Sequence, residues 1–272
     1  MLYLVPTPIG NIADISLRAL EIFSKADKIL CEDTRITKQL LYILQERYPL
    51  ELQQNIQFLS FHSHNEKEFL SKIESSFFDD EVVYVSDAGM PGISDPGASL
   101  VVFAQQNNLQ YDVLPGANAV LTAYVASGFY SKEFLFYGFL PHKLKEKESQ
   151  LQKAILSGYV TIFYESPHRL LKFLDIMEKI DNKREIFLAK ELTKRYQTYL
   201  KGDAKTLKQE LGNNIKGEWV IVVSANESTA QSGTISQEDI QQLDIPKKQK
   251  AKLLSKITGK SVKELYNDLL FC

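Results

Sequence analysis

The sequence predicts an α/β fold of two domains, a parallel sheet in the first and a mixed sheet in the second, with a small C-terminal helical unit. Short apolar runs rich in β-branched residues alternate with segments of helical spacing up to residue 225. This alternation is typical of sheets covered by helices. A polar Ser/Thr/Gly-rich stretch and two amphipathic helical patterns follow. We therefore expect domains at 1–116 and 117–225, a linker at 226–236 and a helical hairpin at 237–272.

Strands in the first domain are expected at residues 2–5, 28–31, 56–61, 81–86 and 110–114. Between them, apolar residues recur at helical spacing. Gly, Pro, Asp and His residues follow directly after the strands. Because the carboxyl ends of parallel strands meet at one edge of a sheet, these residues predict a ligand site at that edge.

The second domain keeps the alternation of strands and helices. Its expected strands are residues 134–137, 160–164, 185–189, 197–200 and 219–223. Pro167 suits the first turn of a helix, because proline lacks the backbone N–H that this turn leaves unpaired. These elements predict a mixed sheet.

Two helices are predicted at the C-terminus. Ala251, Leu254 and Ile257 share one face of the first, and Ser261 with Glu264 forms the capping-box pattern of the second. Because lysines surround both helices, the pair resembles a nucleic-acid-binding hairpin. A packing appendage or a dimer contact fits the same pattern.

The composition is that of an ordinary globular protein. Hydrophobic residues make up 44% and charged residues 24% of the 272, and the net charge is −2. No apolar run approaches the roughly 20 residues of a membrane helix, and the first residues lack a signal-peptide pattern. The two cysteines lie far apart, which argues against a disulfide framework. We expect a cytoplasmic protein without membrane attachment, whose contacts with nucleic acid depend on local basic patches.

Residues 85–97 form the stretch around which the chain is expected to be organised. They follow a buried strand, and positions 87–97 contain three Gly, two Pro and two Asp residues. Glycine lets the backbone approach a ligand, and proline keeps a loop rigid. A rigid surface connection fits this composition too, but the position at a strand end favours a ligand-binding loop.

Several common ligand motifs are absent from the sequence. The GKS at 259–261 lacks the earlier glycine of a phosphate-binding loop, because position 254 is a leucine. No G-x-G-x-x-G follows the first strand, and neither a hydrolase elbow nor H-E-x-x-H occurs. His62 and His64 have too few candidate ligands beside them for structural zinc, so we expect no metal site.

Seven segments, taken in order, resemble a known family. They are PTPIGNIADISLRAL (6–20), CEDTR (31–35), HNE (64–66), SDAGMPGISDPG (86–97), LPG (114–116), FYESPHRL (163–170) and AKELTK (189–194). Together they resemble the small-subunit (16S) ribosomal RNA cytidine 2′-O-methyltransferases, a branch of the tetrapyrrole methylase superfamily. The resemblance covers residues 1–225 continuously and extends to the C-terminal helices.

This resemblance implies the class III methyltransferase fold, in which two α/β domains hold S-adenosylmethionine in the cleft between them, usually in a homodimer. The implied substrate is a cytidine ribose in 16S rRNA, within the small ribosomal subunit. The implied cofactor-binding residues are Pro8, Ser86, Asp87, Ala88, Gly89, Ile93, Asn118, Ala119, Tyr164, Glu165, Leu192 and Thr193.

The implied chemistry needs no metal and no nucleophilic triad, because the methyl group of S-adenosylmethionine sits on a good leaving group. Aligning the two reactants can lower the barrier by roughly 7–11 kcal/mol, and removal of the hydroxyl proton adds to this. The candidates for the proton acceptor are Lys190, Glu191, Glu32 and Asp33. A structural ion pair fits the first two as well, and a helix N-cap fits Asp33.

The expected RNA contacts are basic or aromatic-ring residues of the same loops. They are Arg35, His62, His64, His168, Arg169, Lys194 and Arg195. Two other functions stay open at this point. One is C-methylation of a tetrapyrrole, against which the basic C-terminal helices argue. The other is a non-catalytic RNA-binding or ribosome-assembly protein, against which the intact loop at 86–97 argues.

Overall fold

Five parallel strands form the first sheet of the computed structural model, which describes residues 1–212, 215–226 and 237–270. They are β1 (Leu2–Leu4), β2 (Lys28–Cys31), β3 (Gln57–Ser60), β4 (Val82–Val85) and β5 (Tyr111–Val113). Their order is β3-β2-β4-β1-β5, and all neighbouring pairs are parallel, as predicted. Because β1 and β4 are neighbours, the loops that follow them begin side by side.

Helices cover both faces of this sheet. They are α1 (Leu17–Lys25), α2 (Thr34–Arg47), α3 (Glu66–Lys72) and α4 (Gly97–Gln106). Phe23 of α1 and Leu41 of α2 are buried against one face, whereas Leu100 of α4 is buried against the other. Burial of these large apolar side chains on two faces stabilises the sheet and fixes the position of its carboxyl edge.

The second sheet is mixed, which confirms the α/β fold predicted from the sequence. Its strands are β6 (Phe134–Phe139), β7 (Val160–Glu165), β8 (Ile186–Lys190), β9 (Thr198–Gly202) and β10 (Trp219–Val223), in the order β6-β7-β10-β8-β9. Only the β6–β7 pair is parallel within this described sheet. One face packs on α5 (Ala119–Ser127), and the other packs on α6 (Leu144–Leu156), α7 (Pro167–Ile180) and α8 (Ala204–Leu211).

Three polar or aromatic residues form a row at one edge of the second sheet. The register pairs Trp219 of β10 with Glu165 of β7 and, on its other side, with Lys190 of β8. Residues directly opposite each other on antiparallel strands point to the same face. All three side chains therefore lie on the face that α6, α7 and α8 cover.

A buried ion cluster joins α6 to this edge. The carboxylate of Glu165 is fully buried and accepts a hydrogen bond from Lys147 Nζ at 2.6 Å. Its other oxygen lies 3.1 Å from Arg169 Nε and accepts the backbone N–H of Ser166 at 3.0 Å. Buried charges are tolerated only when they are paired, so the cluster ties α6 and α7 to the end of β7.

The C-terminal residues form a separate compact unit, whereas residues 1–225 with both sheets form one unit. The boundary proposed at residue 116 therefore stays a prediction. The unit contains α9 (Gln237–Gln242), α10 (Lys247–Thr258) and α11 (Val262–Asp268) in its described part. The predicted linker lies outside the described residues except for Asn226.

The described part of this unit contains one helix more than the predicted two-helix hairpin, because α9 precedes the two expected helices. Only Ile240 of this short polar helix is buried, so the sequence shows no helical stripe there. Ile240 packs with Ala251, Leu254 and Leu265, whereas Ile257, predicted to face the same way, is 48% exposed. None of the helices in the described residues has the length and apolar character needed to cross a bilayer.

The ion cluster can be tested by Lys147→Met, which keeps the volume of the side chain and removes its charge. The buried carboxylate of Glu165 loses one of its two cations, and we expect the free energy of unfolding to fall by about 3 kcal/mol. Urea denaturation measures this loss. Lys145→Met, on the exposed face of the same helix, is the control and should change stability by less than about 0.5 kcal/mol. Equal unfolding midpoints for the two variants would contradict the assignment.

Candidate functional site

A cavity of about 340 Å³ lies where strand ends of the first sheet and of the second sheet meet. Its lining is mostly apolar and consists of Ile9, Ala88, Ala119, Phe139, Tyr164, Glu165, Ser166, Pro167, Ala189, Leu192, Glu218, Trp219 and Val220. A smaller cavity of about 70 Å³ adjoins it and shares Ile9, Ala88, Ala119 and Tyr164. A cleft of this size with an apolar lining is typical of a site for a small organic ligand or cofactor.

Hydrogen bonds between loops build the wall on the side of the first sheet. Thr7, after β1, and Gly89, after β4, exchange two backbone hydrogen bonds of 3.0 Å. The Thr7 hydroxyl also donates to the carbonyl oxygen of Ser86 at 3.2 Å. A Cβ at Gly116 would lie 2.5 Å from Cβ of Pro6, so only glycine allows the loop after β5 to approach as well. Three strand-end loops thus form one continuous surface.

Asp95 organises the loop at residues 86–97, which we call the Gly/Pro loop. One of its carboxylate oxygens accepts the backbone N–H groups of Gly92 and Gly97 and the hydroxyl of Tyr84. Gly92 has a φ of +85°, which favours glycine, and a Cβ at Gly97 would lie 2.8 Å from the ring of Tyr84. The loop is therefore held from inside by a single carboxylate, which the sequence analysis did not single out.

A strained turn after β8 builds the opposite wall. Glu191 and Thr193 have φ values of +50° and +63°, which are unfavourable for residues other than glycine, most of all for a β-branched one. The turn is held by the backbone N–H of Asn11, which donates to Thr193 Oγ1 at 3.0 Å. A Cβ at Gly10 would lie 2.9 Å from the carbonyl oxygen of Leu192. The loop after β1 and the turn after β8 are therefore in direct contact, and Ile9 and Leu192 reach the same cavity.

Most residues implied as cofactor-binding lie at the cavities. Ala88, Gly89, Ile93, Asn118, Ala119, Tyr164, Glu165 and Leu192 line one or both of them. The structure does not place Pro8, Ser86, Asp87 and Thr193 in the lining; they belong to the loops immediately behind it. The carboxylate of Glu165 is turned toward Lys147 and Arg169. Burial, together with the charge of Asp95, raises the pKa of Tyr164 to about 12, so its hydroxyl stays protonated at neutral pH.

Glu32 and Asp87, two of the implied site residues, lie together where the Gly/Pro loop begins. Burial raises the pKa of Glu32, partly offset by the backbone N–H of Asp87, which donates to Glu32 Oε1 at 3.4 Å. Burial also raises the pKa of Asp87, whose Oδ1 accepts the backbone N–H of Asp33 at 3.2 Å. Glu32 and Asp87 are therefore stronger bases than ordinary carboxylates.

The other proton-acceptor candidates have different surroundings. Asp33 caps α2, and its bidentate pairing with Arg35 lowers the pKa of the carboxyl to about 2. For Glu191, burial is outweighed by the N–H of Glu218 and the ammonium of Lys194, so its pKa is lowered. Its ion pair is with Lys194 at 3.2 Å. Lys190 is 7% exposed, and its Nζ lies 5.6 Å from the centre of a Trp219 ring.

The implied RNA contacts near the first sheet are accessible. The side chain of Arg35 is 89% exposed, although its guanidinium is paired with Asp33. The rings of His62 and His64 lie 5.9 Å apart after β3, with His64 exposed. Nδ1 of His62 is buried without a hydrogen-bond partner among the described residues.

The implied RNA contacts near the second sheet differ in availability. His168 and Arg195 are exposed. Lys194 is held between Glu191 and Glu218. Arg169 donates to the carbonyl oxygens of residues 140 and 141 and pairs with Glu165, so the structure favours a packing role for it over RNA contact.

Sequence reasoning missed part of the lining. Ile9 follows an implied residue and Ala189 begins the AKELTK segment, but Trp219 and Val220 come from a strand that resembles plain core. No motif marks these two residues, and the register of β10 against β7 and β8 brings them to the cavity. The ring of Tyr137 packs against the ring of Phe163, with the ring centres 5.6 Å apart, whereas Phe139 is 60% exposed at the cavity.

Gly10→Ala tests the contact between the two walls. The added methyl group would overlap with Lys194 and lie 2.8 Å from Thr193 Oγ1, which forces the turn away from Asn11. We expect at least a tenfold weaker affinity for S-adenosylmethionine, measured by calorimetry. Gly202→Ala is the matched control, since its Cβ would make only ordinary contacts, 3.5 Å from Thr206. Unchanged affinity in Gly10→Ala would show that the contact does not shape the cavity.

The comparisons with known proteins agree with this geometry. Residues 1–208 match the family of tetrapyrrole (corrin/porphyrin) methylases. A Campylobacter fetus protein named ribosomal RNA small subunit methyltransferase I is 47% identical over 99% of this chain and 100% of its own length. A protein of the same name from Helicobacter pylori is 46% identical over 98% of this chain and 96% of its own length.

A solved structure shows the same fold. It is a uroporphyrin-III C-methyltransferase from Thermus thermophilus in complex with S-adenosylhomocysteine, with a TM-score of 0.55 and 12% identity over 81% of this chain and 96% of that chain. Family match and full-length relatives lead to one conclusion. The chain belongs to the tetrapyrrole (corrin/porphyrin) methylase family and, within it, to the group of the ribosomal RNA small subunit methyltransferases I.

Proposed function

We propose that this protein transfers the methyl group of S-adenosylmethionine to the ribose 2′-oxygen of a cytidine in 16S ribosomal RNA. The observation that carries the proposal is the mostly apolar cleft at the strand ends of the two sheets, bordered by acidic residues. Its charged lining residues are Glu165, Glu218 and Asp95, of which the first two are paired with cations outside the lining, and none of the described Lys or Arg residues lines either cavity. A cationic cofactor fits such a site, while the relatives that share the whole chain act on ribosomal RNA by name.

The chain's residues fit S-adenosylmethionine in size and chemistry. Ala88, Ala119 and Ala189 leave the space of the cavity open, and the rings of Tyr164 and Phe139 border it. Aromatic faces attract a ligand cation within about 6 Å. Bound S-adenosylmethionine supplies a methyl group on a sulfonium, which needs no further activation. The protein's contribution is then to hold the acceptor ribose in line with this methyl group and to exclude water.

Glu32 is the proton acceptor that we propose for the ribose hydroxyl. It follows directly after β2, where it contacts the start of the Gly/Pro loop, and burial raises its pKa, whereas the pKa values of Asp33 and Glu191 are lowered. General base catalysis contributes typically 10²–10⁴-fold. Phe139, which is exposed at the cavity mouth, is the candidate to stack on the displaced cytosine.

C-methylation of a tetrapyrrole is the second candidate function. The Thermus structure is a uroporphyrin-III enzyme, but a likeness at 12% identity supports the fold alone. Exposed lysines on α10 and α11 suit a polyanion such as RNA, whereas a small macrocycle needs no appended basic unit. We therefore propose that the C-terminal unit adds contacts to the RNA. We also propose that the protein acts on the small ribosomal subunit and is located in the cytoplasm.

We also propose a homodimer. In α5, Leu121 and Val125 are 50% and 78% exposed, and Tyr130 just beyond it is 96% exposed. On the edge strand β5, Tyr111 and Val113 are more than one third exposed. Exposed apolar side chains on two consecutive elements of the chain are what an interface between subunits would cover, and light scattering of the purified protein measures the assembly.

The activity assay uses unmethylated small ribosomal subunits and tritiated S-adenosylmethionine, followed by digestion to nucleosides. We expect the label in 2′-O-methylcytidine. Label in a base, or transfer to a tetrapyrrole but not to RNA, would contradict the proposal. Naked 16S transcript, assayed in parallel, tells whether the assembled subunit is required.

Glu32→Gln tests the proton acceptor. Glutamine keeps the oxygen that accepts the N–H of Asp87 but cannot take up a proton, so we expect kcat to fall about 10²–10⁴-fold with S-adenosylmethionine affinity unchanged. In the wild type, kcat should fall as the pH drops through the raised pKa of Glu32, above the value of about 4.3 for an ordinary glutamate. Asp33→Asn, which keeps a good N-cap, is the control and should retain activity. Equal rates for Glu32→Gln and the wild type would exclude Glu32.

A further inference from the structure

An open groove of about 600 Å³ lies beside the cavity described above. Its lining residues are Lys190, Glu191, Arg195, Tyr196, Gln197, Thr198, Lys216 and Gly217, and we call it the basic groove. It contains three cationic side chains in a chain whose net charge is −2. This concentration of positive charge is not expected from composition and marks a surface for an anion.

The basic groove and the cavity share a wall. Residues 190 and 191 line the groove and residues 189 and 192 line the cavity, whereas residue 217 lines the groove and residues 218–220 line the cavity. Both therefore lie at the same edge of the second sheet, where β8 ends and β10 begins. The two are therefore close enough for one nucleic-acid strand to contact both.

Two charges of the groove, those of Arg195 and Lys216, are available for an anion. The one carboxylate among the described lining residues, Glu191, accepts the N–H of Glu218 at 2.8 Å and pairs with Lys194 at 3.2 Å. Arg195 and Lys216 are exposed and form no ion pair within the described residues. The carboxylate that would compete with a ligand is thus engaged within the protein, by the ammonium of Lys194 and by the N–H of Glu218.

Tyr196 adds an aromatic platform to the groove. Its ring is 70% exposed, and the guanidinium carbon of Arg195 lies 5.6 Å from the ring centre. An exposed tyrosine next to free cations is the combination with which proteins hold single-stranded nucleic acid, since every base has a face that stacks. A pure phosphate or carboxylate site would have no use for the ring.

We propose that the basic groove holds a nucleotide adjacent to the one that is methylated, with its phosphate at Arg195 and Lys216 and its base stacked on Tyr196. The inference rests on the proposed function and extends it, because it assigns the path of the RNA strand away from the cavity. Arg195 was expected to contact RNA from the sequence, whereas Tyr196 and Lys216 were not.

The test measures the affinity of unmethylated small ribosomal subunits and of 16S transcript for four variants. Tyr196→Ala should raise Kd about tenfold without changing its salt dependence, whereas Tyr196→Phe, which keeps the stacking face, should bind like the wild type. The logarithm of the association constant falls with log[KCl], and Arg195→Gln and Lys216→Gln should each make this negative slope shallower by about 0.7, since each removes one phosphate contact.

Matched controls come from the opposite end of the second sheet. Tyr159 and Lys153 are exposed before β7 begins, far along the strand from the cavity edge. Tyr159→Ala and Lys153→Gln should leave both affinity and salt slope unchanged. S-adenosylmethionine affinity should be unchanged in every variant, which shows that the fold and the cavity are intact.

Two outcomes would overturn the inference. In one, the groove variants bind and methylate the RNA as well as the controls do. In the other, they lose affinity for assembled subunits but not for naked transcript, which would assign the groove to a ribosomal protein. Either result leaves methylation of RNA by the wild type intact. Failure of the wild type to methylate RNA would instead refute the proposed function itself.

Discussion

The contact between the loop after β1 and the turn after β8 is the constraint on which the site depends. It joins Asn11 and Thr193, which lie 182 positions apart, through one hydrogen bond and the close approach that Gly10 permits. Glu191 and Thr193 adopt positive φ values that cost of order 1–3 kcal/mol each, and such conformations persist only where the surroundings impose them. Here the imposed geometry brings Ile9 and Leu192 to opposite sides of one cavity. The strained turn is thus part of the contact that holds a loop of the first sheet against a loop of the second.

Neighbouring carboxylates acquire different properties from their surroundings. Glu32 and Asp33 are adjacent in the chain, yet burial raises the pKa of the first and the guanidinium of Arg35 lowers that of the second. Groups whose pKa values are driven apart in this way take different roles in a site. Asp33 caps a helix, whereas Glu32 remains available as a base.

Charge is distributed over the molecule in a way that matches two unlike ligands. The described lining of the cavities contains three acidic residues and no Lys or Arg, which suits the sulfonium of the proposed cofactor. The adjoining basic groove, and the exposed lysines of α10, suit a phosphate backbone. A net charge of −2 conceals this separation, because it is a sum over the 32 basic and 34 acidic residues of the whole chain.

The sequence by itself determined the alternation of strands and helices, the parallel first sheet and mixed second sheet, and the strand-end loops such as residues 86–97. These features follow from local periodicity and from Gly and Pro, whose effects act within a few residues. Only the tertiary structure decided that Arg169 pairs inside the protein, that Trp219 and Val220 line the cavity, and that α9 joins the C-terminal unit. It also decided which carboxyl groups, Glu32 and Asp87, have a raised pKa. Each of these depends on contacts between residues distant in the chain, and burial of a charge is a property of those contacts and not of the local sequence.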